Sequence, residues 1–340
     1  MGDSNASAKD IRASRLLEPS GEREATFLRH PIVTDKAKIP TPQVKEAYSV
    51  VESAIVHYEP SVTFVADSRF GKTYGLEVVR QTLPQSFPHL ATFSILAKEH
   101  DHQTERALYT DLLVDCGHGL ADSGTAVARR LRLLSRWITT VQASHQDRLV
   151  LFVDEAQNWG EDDYTRLRDL TNDLAANDIR TITVLFAHPN LLVTRTALMR
   201  HGRTDLIGRF MLRPMGFRGV SCVDELREIA CSYDNATISE FPAGSGISYS
   251  EFFMPDEYRE GWRLEQEMAE CWAAFSAVSE KHGGRYQIGM KWIASAIRDF
   301  FYSRWQGQHG APLETEDLWA TAVEASGFEY SLGVLQDRQH

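Results

Sequence analysis

The sequence predicts an α/β fold: a parallel sheet with helices on both faces, followed by a smaller all-helical subdomain. Three observations predict it. Strand-length β-branched or apolar runs recur at 61–65, 90–97, 149–153, 181–186 and 211–215. Amphipathic stretches of helical period lie between them, the alternation that builds strand–helix–strand crossovers. From about residue 258 the strand signal stops and only helical periodicity continues.

With 340 residues, 43% hydrophobic and 24% charged, the chain has enough apolar surface for more than one packed unit. The expected organisation is an extended N-terminal arm over 1–40, an α/β core over 41–236 and a loop or insertion over 237–257. A helical lid over 258–330 and a tail over 331–340 complete it. No apolar run approaches the roughly 20 residues that span a bilayer, so no membrane partner is expected. Cys116, Cys222, Cys231 and Cys271 are scattered without metal-site spacing, which reads as reduced thiols of a cytoplasmic protein. A net charge of −11 argues against indiscriminate nucleic-acid binding by the whole surface, but leaves room for a local basic patch.

The opening MGDSNASAKD and the spaced Pro19, Gly21, Pro31 and Pro40 suggest the extended arm. Residues 42–58 place Val44, Ala47, Val51 and Ile55 at helical spacing. The strand Ser61–Val65 then runs into Ala66, Asp67, Ser68, Arg69, Phe70, Gly71, Lys72 and Thr73, a P-loop pattern with Ala where the first Gly normally stands. Such a loop wraps phosphates with successive backbone N–H groups, and the helix opening through Tyr74 presents its positive end. Lys72 is placed to reach the β- and γ-phosphates, and the Thr73 hydroxyl to hold Mg²⁺. Alanine at position 66 should cost some backbone freedom, since only glycine enters left-handed conformations freely.

A second motif answers the first. The apolar run 149–153 suits a strand buried on both faces, and it ends in Asp154, Glu155, Ala156 and Gln157. An acidic pair at a strand tip, about eighty residues beyond a P-loop, has a defined chemistry: Asp154 aids Mg²⁺ coordination and Glu155 polarises the water that attacks the γ-phosphate. The two motifs together point to a site for a nucleoside triphosphate and Mg²⁺.

Other candidates are less specific. His100 and His102 have no third ligand nearby and read as a solvated loop, not a metal site. Arg129, Arg130, Arg132 and Arg136 lie on one long helix, as a solvated face or as a row that follows a phosphate backbone. The strand 181–186 ends in Ala187-His188-Pro189-Asn190, where His188 or Asn190 either senses the γ-phosphate or caps the next helix. In the basic stretch from Arg195 to Arg218, Arg209 precedes the last strand, where it can reach the nucleotide of an adjacent subunit or form a structural salt bridge; Arg203 is the reserve. Residues 238–255 read as an insertion with exposed-looking Phe241, Tyr249, Phe252 and Phe253. Helices over 258–281, 286–305 and 314–326 form the lid, with Arg285 touching the nucleotide or capping its helix.

The order of these elements over about residues 40–330 resembles the AAA+ ATPases. More narrowly, FVADSRFGKT with LVLFVDEAQ and LIGRF resembles the TnsC/TniB family of transposition regulators, including those of CRISPR-associated transposons. The resemblance implies ATP-bound subunits that assemble as rings or filaments, hexamers or heptamers, on double-stranded DNA. It implies Arg209 acting from the neighbouring subunit, recruitment of transposase subunits, reception of a target-selector protein, and disassembly through hydrolysis at Glu155. Because the duplex threads the ring in that family, Lys98, Arg106, Arg129, Arg130, Arg132 and Arg136 become the DNA-contact candidates. Ala66 and the uncertain sensor at His188 depart from the family pattern and bear on hydrolysis more than on binding. A helicase loader or initiator, and an NTPase switch in signalling, are the alternative readings.

Overall fold

The computed structural model describes residues 16–284, 287–307 and 318–336. The chain divides into two compact units, Gln43–Arg218 and a second made of Met1–Pro42 with Gly219–His340.

The first unit is built on a five-stranded, all-parallel sheet of order β2-β3-β4-β1-β5. The strands are β1 (Ser61–Val65), β2 (Ala91–Leu96), β3 (Arg148–Asp154), β4 (Arg180–Ala187) and β5 (Pro214–Gly216). All five fall on or beside the expected runs, and β5 is shorter and later than 211–215. Parallel strands need helical crossovers that cover both faces, so the central strands must be apolar on both sides. The side chains divide by parity. Val150 and Phe152 of β3, with Ile182, Val184 and Phe186 of β4, pack on one face with the helices Pro42–His57 and Lys72–Ser86. Leu149, Leu151 and Val153, with Leu185, pack on the other with Glu105–Asp115, Ala126–Ala143 and Glu161–Ala175. Thr104 and Thr125 start two of those helices by accepting the Ala107 and Ala128 N–H groups. The expected sheet flanked by helices is therefore the observed fold.

The second unit holds the helices Val223–Asp234, Leu264–Lys281, Met290–Gly307, Leu318–Ser326 and Phe328–Gln336 around one apolar core. The boundaries differ from expectation. Helix Val223–Asp234 groups with this unit, so the α/β unit closes near residue 218 and not near 236. Residues 16–40 are no extended arm. Ser20 caps the helix Gly21–Phe27, and Leu16, Ile32 and Ile39 are buried in the helical core. The stretch 237–257 also departs from its reading as an insertion with exposed aromatics, because Phe252 and Phe253 are fully buried on the short helix Tyr249–Phe253. His30 sits against the rings of Phe241, Tyr249, Phe252 and Phe253 at centroid distances of 4.8 to 4.9 Å. No helix among the described residues is long and apolar enough to cross a membrane.

Candidate nucleotide site

In a parallel sheet, ligands bind beyond the carboxyl ends of the strands. Here β4 lies between β1 and β3, so the loops after these three strands converge. The loop after β1 is the P-loop, residues 66–71, and it opens the helix Lys72–Ser86. Ala66 is buried and its N–H donates to Ala187 O at 3.0 Å, continuing the pairing of β1 with β4. The left-handed backbone falls on Arg69 (φ 70°) and Gly71 (φ 94°), and Ala66 is not among the positive-φ residues. The expected cost of alanine at position 66 is thus not incurred.

Lys72 is buried, and its Nζ donates to Ala66 O and Asp67 O at 2.9 Å each, which holds the ammonium inside the curl of the loop. Burial pulls its pKa below the ordinary lysine value, against the opposing pull of Glu155, Asp154 and Asp67. Thr73 Oγ1 donates to Asp154 Oδ2 at 2.6 Å, which joins the P-loop helix to the tip of β3. Burial raises the Asp154 pKa, while the Thr73 hydroxyl and the Glu155 N–H oppose the rise. A hydroxyl and a carboxylate side by side are hard oxygen donors, the set that Mg²⁺ accepts alongside phosphate oxygens and water. The residues present fit that ion.

Glu155 adopts a left-handed backbone (φ 52°), uncommon for a residue with a Cβ. Its Oε2 accepts from Gln157 Nε2 at 2.5 Å, and Gln157 Oε1 accepts the His188 N–H at 2.8 Å. His188, at the end of β4, places Nε2 3.7 Å from Asp67 Oδ1. Asn190 makes no side-chain capping bond to the next helix. The structure therefore brings His188 to the loop beside Asp67, along with Ala66, Asp67, Ser68, Arg69, Phe70, Gly71, Lys72, Thr73, Tyr74, Asp154 and Glu155. Sequence reasoning assigned no role to Gln157; its place two residues beyond Glu155, in the turn that follows the strand, was the available signal.

Arg209 lies on the helix Thr204–Phe210, and its Nη1 donates to Thr171 Oγ1 at 2.6 Å and Asn172 Oδ1 at 2.7 Å. These acceptors are neutral, and among the described residues none of its hydrogen bonds reaches the P-loop. Arg203, the reserve, is paired with Glu161 at 2.6 Å and Asp205 at 3.2 Å. Arg285 lies outside the described residues.

The DNA-contact candidates are corrected more heavily. Arg129 is buried and donates to Thr110 Oγ1 and Asp122 O, and Arg130 pairs with Asp173. Arg132 donates to Leu120 O and to Ser123 O, the latter at 3.0 Å. Lys98 pairs with Asp111 at 2.9 Å. These bonds hold a loop and two helices in place; of the row only Arg129 is buried, while Arg130, Arg132 and Lys98 are partly exposed with their charge already engaged. Arg106 and Arg136 are exposed, and their guanidinium groups make no hydrogen bond or ion pair among the described residues.

Comparison with known proteins agrees with this geometry. Residues 56–193 match the family model of an AAA domain. The Aeropyrum pernix ORC2 protein, solved as ADPNP–ADP complexes, is similar in structure with a TM-score of 0.55 at 12% identity, over 87% of this chain and 71% of that one. Domain III of the Thermotoga maritima replication initiation protein DnaA gives 0.44 at 13% identity, over 83% and 93%. The Aeropyrum pernix ORC1 protein in complex with DNA gives 0.40 at 11%, over 91% and 87%. No curated protein matches the chain significantly. Identities this low speak to fold alone, and of these three it is the ORC2 alignment that bears on it. The fold is that of the AAA+ proteins, and the segment that matches the AAA domain carries both the P-loop and the acidic tip of β3.

Proposed function

We propose that this protein is an ATPase that binds ATP with Mg²⁺ and hydrolyses it to ADP and phosphate. The observation that carries the reading is the 2.6 Å bond between Thr73 and Asp154, because it makes one site of two motifs eighty-one residues apart. The P-loop N–H groups and Lys72 bind the β- and γ-phosphates. Thr73 and Asp154 hold Mg²⁺, which supplies charge neutralisation to the phosphate oxygens. Glu155 orients the attacking water and takes its proton as the bond to the β–γ bridging oxygen breaks. His188 senses the γ-phosphate, a role supported by its closeness to Asp67 of the loop. Arg209, whose acceptors among the described residues are all neutral, acts on the nucleotide of an adjacent subunit.

We infer further that the protein is a transposition regulator of the TnsC/TniB type, which assembles as a ring or filament on double-stranded DNA and links a target-selector protein to transposase subunits. The three sequence motifs support this narrower reading. Of the basic candidates, Arg106 and Arg136 have the free guanidinium groups for phosphate contact.

Electron microscopy of the protein with duplex DNA and a slowly hydrolysed ATP analogue tests the assembly. Rings or filaments that need both nucleotide and DNA, of any sequence, are expected. Monomers under those conditions would remove the transposition reading, and nucleotide-dependent oligomers indifferent to DNA would favour the signalling switch.

A further inference from the structure

Both ends of the Gln157 amide are engaged. His188 N–H can only donate, so it fixes Oε1 on its side, and the NH₂ group must face the Glu155 carboxylate and Asn158 Oδ1. One side chain thus ties the candidate base to the backbone at the end of β4. That attachment point is well placed, since β4 runs between the P-loop strand and the strand that ends at Asp154. His188 itself faces Asp67 of the P-loop at 3.7 Å.

Glu155 needs such a tether. Its backbone is left-handed where β3 ends, and a carboxylate on three rotatable side-chain bonds is free to swing unless something holds it. Alignment of a base to within a fraction of an ångström is a large part of what it contributes to a rate.

We propose that Gln157 is the positioning residue of the site, holding the Glu155 carboxylate in register with the γ-phosphate through the His188 backbone. The proposal rests on the ATPase reading above. It concerns turnover and leaves nucleotide affinity to the P-loop.

Two substitutions separate the two ends of the bridge. Gln157→Leu removes the bonds to Glu155, Asn158 and His188 at similar volume. Gln157→Glu keeps an oxygen for the His188 N–H but replaces the donor to Glu155 with a like charge. ATP turnover, affinity for a fluorescent ATP analogue and melting temperature are measured for each, in the wild-type and the Glu155→Gln backgrounds. Both variants should lose turnover by about tenfold or more, with analogue affinity within about twofold. In the Glu155→Gln background neither should lower the residual rate further, because a residue acting through Glu155 has nothing left to position. Turnover within twofold of wild type, an equal loss in both backgrounds, or affinity falling in step with turnover would each overturn the proposal. A wild type that binds ATP without hydrolysing it would instead sink the ATPase reading, and this inference with it.

Discussion

Gly75 and Phe217 meet so closely that a Cβ on Gly75 would lie 2.8 Å from the Phe217 ring. Gly75 is two residues past Thr73, so the P-loop helix lies tight against the segment that follows β5. Phe217 is itself buried and packs edge-on against Phe64 and Phe186, at 6.3 and 5.8 Å, which leaves the ring little room to retreat. Gly75→Ala should therefore destabilise the α/β unit by about 1–3 kcal/mol, the usual cost of overpacking. Denaturant unfolding of variant and wild type measures it, and an unchanged midpoint would mean the ring moves freely.

Lys72→Ala should abolish binding of a fluorescent ATP analogue, whereas Glu155→Gln should keep binding and lower turnover by about 10²-fold or more. The two variants divide the site into a phosphate grip and a base. Equal affinity for Lys72→Ala and wild type would refute the assignment of the loop.

Arg209→Ala should reduce turnover by about 10³-fold while each subunit still binds nucleotide. Mixing it with Lys72→Ala subunits should recover part of the activity, because one of the two kinds of mixed boundary joins the intact P-loop of Arg209→Ala to the intact arginine of Lys72→Ala. No recovery on mixing would place Arg209 within its own chain. Arg203→Ala breaks the pairs with Glu161 and Asp205 and should leave turnover nearly as it was.

His30 makes the helical unit sensitive to acid. Its ring is fully buried among aromatics, Nδ1 accepts the Ile32 N–H, and Nε2 has no partner among the described residues. Burial pushes its pKa down to about 3. The folded state therefore holds His30 neutral, while the unfolded chain takes up a proton below about pH 6.5. The associated stability is complete above that pH and is lost as pH falls towards 3. Between pH 7 and pH 5 the loss should be about 2 kcal/mol. Unfolding of wild type and His30→Phe at both pH values isolates the effect. Parallel losses in the two proteins would assign it to other groups.

Much of this architecture is written in local sequence. The strands are legible because a strand buried on both faces must be apolar without interruption, as 149–153 is. The site is legible because Lys72 and Thr73 are neighbours in sequence, as are Asp154 and Glu155. The partners of Arg129 and Arg130 are not, since Asp122 O belongs to a loop and Asp173 to another helix. A basic run shows its charge and hides whether that charge is already spent. The packing of residues 16–40 is hidden in the sequence for a related reason: the buried aliphatic side chains Leu16, Ile32 and Ile39 are too sparse to show a period, yet they help pin the segment onto a core made elsewhere.

The engagement of Arg129, Arg130 and Arg132 by acceptors of their own chain has a consequence for how such a protein would hold a duplex. With the two free guanidinium groups at Arg106 and Arg136 as its phosphate contacts, one subunit would displace few counterions, and the logarithmic salt slope would be only about −2. A lone copy would let go readily. Grip would grow with the number of copies joined side by side, so occupancy of DNA would switch on over a narrow range of protein concentration.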